Sequence, residues 1–268
     1  ITLPLTFTLN NSELFEFPKF ILLLSGTIAI TLAWGIHIYK SQDYKIFTPS
    51  LLNYSVLGIL GSAILSTILS IHPYTSFWGY YSRFHGGSLT IICYTIIYFA
   101  ALKWMDKKST QKLINISIIT SILVGIYALL ERLGIDKKLW VQDVQSRPFS
   151  TLGQPNWLAA YMIPNIFLAI YQNISSKNRT LWSYFFIVIT MLALILTRSR
   201  SGLIGFTLAF IAYFLLVSRS IKFKSIQKEI LKYIFVFIAL ALYAGTPYIP
   251  SLNDLLSRAN PAPLPAVT

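Results

Sequence analysis

The chain has 268 residues, of which 55% are apolar and only 12% charged, and it carries a formal net charge of +13. Its mean hydropathy is +0.62, so it has too little charge to cover the surface of an ordinary soluble domain. Recurring apolar runs with polar punctuation exclude a ten-residue alternating β-barrel pattern and point to membrane-spanning helices.

In chain order the runs fall at about 18–38, 51–71, 88–102, 113–130, 157–171, 181–197, 202–217 and 233–249. They predict an all-α polytopic bundle of about eight spans, forming one transmembrane domain over 1–268. The fifth run is short and contains Pro164, which predicts a kink or an earlier start. Ile1 and the Pro-rich tail after Asn260 read as cut edges, which predicts a fragment of a longer protein.

Alternate connections differ in charge. Those at about 40–50, 103–112, 172–180 and 218–232 hold thirteen positive residues, eleven of them Lys. By the excess of Lys and Arg on cytoplasmic loops, this side is predicted to face the cytoplasm. The opposite connections hold eight positive residues, six of them Arg: Arg83, Arg132, Arg147, Arg198, Arg200 and Arg258. Lysine suffices as a solvated topology anchor, whereas the guanidinium fork matches phosphate oxygens bidentately. Chance with ordinary interfacial anchoring is the bland reading of arginine gathered on the outer side; an anionic ligand there is the favoured one.

Three outward helix starts share this construction. Arg83 precedes His85-Gly86-Gly87-Ser88; Arg147 precedes Gly153-Gln154-Pro155-Asn156; Arg198 and Arg200 sit in Thr197-Arg198-Ser199-Arg200-Ser201-Gly202. Free N–H groups at a helix start, together with glycine and arginine, suit phosphate or pyrophosphate. Ordinary helix capping explains each segment singly; the shared pattern favours the anion site.

Residues 147–161 (Arg-Pro-Phe-Ser-Thr-Leu-Gly-Gln-Pro-Asn-Trp-Leu-Ala-Ala-Tyr) resemble the G-x-P-N-x-L-A segment of the O-antigen ligase/polymerase family. Residues 197–202 are similar to that family's T-x-S-R-x-G turn, and Phe15-Glu16-Phe17-Pro18-Lys19-Phe20 resembles its N-terminal region. The resemblance covers most of the chain. It implies a glycosyltransferase of the bacterial inner membrane, active at the extracytoplasmic face in lipopolysaccharide or polysaccharide synthesis. The implied donor is an undecaprenyl-pyrophosphate-linked glycan, and the acceptor is a glycan, lipid or protein. By the resemblance, Arg147 and Arg200 match the arginines that engage the donor pyrophosphate, and Arg83 is a looser match. Arg198 joins them by position, with Gly153, Pro155, Asn156, Thr197 and Ser199 in support. The family also carries a large C-terminal outer loop with a histidine proposed to activate the acceptor. Neither His72 nor His85 occupies that place.

No carboxylate lies in the middle of a run, which disfavours an ion-coupled carrier. There is no Asp-x-Asp and no His/Cys cluster, and Cys93 is the single cysteine. Neither a metal nor a cofactor is expected. Arginines could stabilise a departing pyrophosphate without a metal, and a base would then deprotonate the acceptor hydroxyl. Glu131 and His85 are the candidates for that task. The bland readings are a salt bridge of Glu131 with Arg132 and a locally bonded interfacial His85. Membrane lipid is an expected partner and nucleic acid is not. The rival reading is a transporter or flippase for an anionic lipid-linked glycan; a donor-binding fragment without activity is a third.

Overall fold

The computed structural model describes residues 2–10, 13–42, 48–175, 181–218, 223–252 and 255. Lys45, Lys177, Arg179, Arg219, Lys222 and Arg258 of the charge comparison lie outside them. Among the described residues the secondary structure is helical: α1 (Thr2–Leu5), α2 (Glu16–Ser41), α3 (Leu51–Ile68), α4 (Pro73–Trp78), α5 (Ser88–Trp104), α6 (Lys107–Arg132), a 3-10 turn (Ser150–Leu152), α7 (Pro155–Ser175), α8 (Leu181–Leu196), α9 (Arg200–Ser218) and α10 (Phe223–Ala244). The chain divides into two compact units, residues 1–113 and 114–268.

Three helices, α2, α3 and α6, are long and apolar enough to cross a membrane; α5, α8 and residues 200–216 of α9 are shorter apolar helices. Only 11% of the α2 window and 6% of the α3 window is buried by protein. Apolar surface on that scale needs a non-aqueous neighbour.

In the first unit α2 and α3 pack on α5. Trp34, Phe99 and Ala100 form the buried cluster, flanked by Ile30, Ile38, Val56 and Tyr98. Ser50 caps α3 by accepting from the Asn53 amide, and the Asn53 side chain accepts from the Tyr98 hydroxyl at 2.7 Å.

In the second unit α7 packs against α8 and α9, and α10 covers α8. Leu158, Met162, Ile166, Met191 and Leu194 are fully enclosed between them. α7 begins at Pro155, ahead of the expected 157, and runs unbroken through Pro164. Proline at the first helical position costs nothing, because that N–H would have no helical partner. Two other boundaries shift. α6 starts at Lys107 and α10 at Phe223, so Lys107, Lys108, Lys112, Lys224, Lys228 and Lys232 are helical rather than loop residues. Asp106 explains the first shift. Its carboxylate accepts from the Ser109 amide at 2.8 Å and starts α6, and hydrogen bonds from Ser109 hold its carboxyl below the usual range.

Candidate functional site

The turn between α8 and α9 is built from its own small side chains. The Thr197 hydroxyl donates to the Leu194 carbonyl at 2.7 Å and accepts from the Ser199 amide. Ser199 caps α9 by accepting from the Gly202 amide at 3.1 Å. Both residues are buried. Arg198 adopts a left-handed backbone, φ 48°, and Arg200 is the first residue of α9. Gly202 is dictated by packing: a Cβ there would lie 2.5 Å from the Ala159 Cβ. Thus α9 starts directly against α7.

Arg147 reaches the same turn from fifty residues earlier. Its Nε donates to the Thr197 carbonyl at 3.2 Å. The segment carrying Arg147 is fixed from below by Glu131, which is fully buried. The Glu131 Oε2 accepts from the amides of Phe149 at 3.0 Å and Ser150 at 2.7 Å. The Ser150 hydroxyl donates to the Val124 carbonyl at 2.7 Å. Ser150 has φ 55° and Gly153 φ 81°, so the chain bends sharply twice before α7. Upstream, Asp136 Oδ2 accepts from both Tyr127 and Trp140, each at 2.6 Å, and Trp140 meets the Phe149 ring edge-on at 5.3 Å.

These turns enclose one side of a cavity of about 690 Å³, lined by Arg147, Asn156, Arg198, Arg200, Ser201, Thr246 and Pro247. Among the described residues no carboxylate lines it. Among the described residues, the bond from Arg147 to Thr197 is the only one that protein groups make to the three guanidiniums. Like charges held together repel, and an arginine opening a helix opposes the helix dipole by about 0.3–1 kcal/mol. Bound anion would relieve both costs. The arrangement offers a cationic cradle with Ser201 and Asn156 as neutral donors, suited to a phosphate or pyrophosphate group.

The other candidate residues lie as follows. Pro155 is buried at the start of α7 beside Asn156. Arg83 belongs to the first unit, where its Nε is 3.2 Å from Glu13 and 3.5 Å from Glu16. His85 is in the same cluster, with Nδ1 3.4 Å from Glu16. Glu131 is held by backbone amides, while Arg132 donates to the Gln145 carbonyl. The rim residues Thr246 and Pro247 escaped sequence reasoning. Gly245, with φ 76° just after α10, was the available signal for a turn there. Among the described residues no group of three or more His, Cys, Asp or Glu could hold a metal ion.

No family model, curated protein or solved structure matches this chain.

Proposed function

We propose that the chain is the core of a membrane glycosyltransferase resembling the O-antigen ligase/polymerase family. It grips an undecaprenyl-pyrophosphate-linked glycan and transfers the glycan to an acceptor at the extracytoplasmic face of a bacterial inner membrane. The observation that carries this reading is the convergence of Arg147, Arg198 and Arg200 on one cavity that, among the described residues, no carboxylate lines. The bundle is read as about eight spans, with α5, α7, α8, α9 and α10 joining the three long apolar helices. Lysine-rich helix ends and connections then face the cytoplasm, and the arginine cavity faces outward, where the lipid-linked donor presents its pyrophosphate.

The chemistry needs no metal. As the anomeric carbon–oxygen bond breaks, negative charge grows on the departing pyrophosphate, and fixed guanidiniums stabilise it more than they stabilise the ground state. Arg147 is oriented by Thr197, which leaves its terminal nitrogens for the ligand.

Arg147→Ala and Arg200→Ala in the full-length protein test this directly. Each should lower glycan transfer by about 100-fold or more while membrane insertion stays intact. Normal transfer by both variants would overturn the assignment. A flippase would need the same cradle; product formation from purified protein, donor and acceptor without a gradient separates the two.

A further inference from the structure

Beside the arginine cavity lies a second one of about 420 Å³, lined by Gln142, Asp143, Ser146, Arg147, Gln154, Pro155 and Asn156. Arg147 and Asn156 form the wall the two cavities share. Building on the donor reading above, we propose that this second cavity holds a neutral saccharide of the acceptor, and that Asp143 takes the proton from its attacking hydroxyl.

The lining selects the ligand class. Gln142, Gln154 and Asn156 have side-chain amides without protein partners among the described residues. Each amide both donates and accepts, as a sugar hydroxyl does. An apolar ligand would leave these groups unpaired, at a free-energy cost. An anion would meet Asp143 and a cation would meet Arg147. A polyhydroxyl ligand satisfies them all.

Asp143 is also oriented for the task. Its Oδ1 accepts from the amides of Gln145 at 3.1 Å and Ser146 at 3.2 Å, and its carbonyl accepts from the Arg147 amide at 3.1 Å. The other carboxylate oxygen has no protein partner among the described residues. One turn of chain therefore positions both the base and the arginine that grips the leaving group. In the step, the acceptor hydroxyl oxygen bonds to the anomeric carbon and the bond from that carbon to the pyrophosphate oxygen breaks. The bonding electron pair leaves with the pyrophosphate, and the hydroxyl proton passes to Asp143.

Asp143→Asn is the informative variant, because an asparagine Oδ1 still accepts from the same two amides and preserves the turn. Inorganic pyrophosphate affinity should stay within about twofold, while kcat for transfer falls about 10²–10⁴-fold, the range for loss of a general base. Gln154→Ala should raise the acceptor KM about tenfold with kcat unchanged. Saturation-transfer NMR on the full chain, with methyl glycosides of glucose, galactose and N-acetylglucosamine, should show contact for at least one. That contact should survive saturating inorganic pyrophosphate. A wild-type rate in Asp143→Asn overturns the proposal, and so does loss of its pyrophosphate binding. Pyrophosphate binding without contact to any of the three glycosides overturns the saccharide site alone. A wild-type chain that fails to bind pyrophosphate overturns the donor reading and this site together.

Discussion

Two arginine-bearing helix starts look alike in sequence and differ in charge balance. In the first unit Arg83 is ion-paired to Glu13 and Glu16 and lies over the Tyr80 ring at 5.8 Å. In the second unit Arg147, Arg198 and Arg200 share a cavity that, among the described residues, no carboxylate lines. The first cluster is already neutralised by the protein. The second, among the described residues, receives no carboxylate from the protein. Arginine, glycine and a helix N-terminus are thus common to both, and the carboxylates that the first unit supplies to Arg83 set the two apart.

The largest expected effect on stability comes from removing the support under the second cluster. Glu131→Ala leaves the Phe149 and Ser150 amides without their acceptor, which should cost about 1–3 kcal/mol of stability and weaken pyrophosphate binding. Glu131→Gln, which keeps an acceptor oxygen, should restore most of both; equal loss in the two variants would show that the charge matters rather than the turn. Thermal unfolding and pyrophosphate titration read the two effects. Gly202→Ala forces a methyl against Ala159 and should cost about 1–3 kcal/mol by overpacking. The start of α9 would move with it, so anion affinity should fall too.

Supplying the missing carboxylate is the more pointed change. Ser201→Glu places an acid in the arginine cavity and imitates the first unit, so pyrophosphate affinity should drop about tenfold, equivalent to about 1.4 kcal/mol. Unchanged affinity would break the charge comparison. The smallest effect belongs to Arg83→Ala. Its side chain is 43% exposed, and an exposed ion pair contributes about 0.2–1 kcal/mol. Stability should change little and pyrophosphate affinity not at all.

Much of the helical framework was legible because continuous apolar runs mark helix bodies well. Helix ends were less so: Asp106 starts α6 earlier and pulls lysines into the helix. The individual segments around Arg147 and Arg200 were also visible, each marked by small residues before a helix. Their meeting was not. It depends on a hydrogen bond between residues fifty apart and on Gly202 letting α9 approach α7. Glu131 was expected to meet Arg132, its neighbour in sequence. The structure turns its carboxylate inward to two amides that lie 18 and 19 residues further along. Asp143 carried no motif at all, and its significance comes from the cavity wall it shares with Arg147. Such contacts arise from tertiary packing, which local periodicity does not encode.

The central claim is that the second unit's arginines form a cradle awaiting an anion, whereas Arg83 does not. Isothermal titration of the full chain with inorganic pyrophosphate, in wild type, Arg147→Ala/Arg200→Ala and Arg83→Ala, tests it most directly. Saturable binding by wild type and Arg83→Ala, with loss in the double variant, is the predicted result. Binding that survives in the double variant, or that disappears with Arg83, would contradict the account.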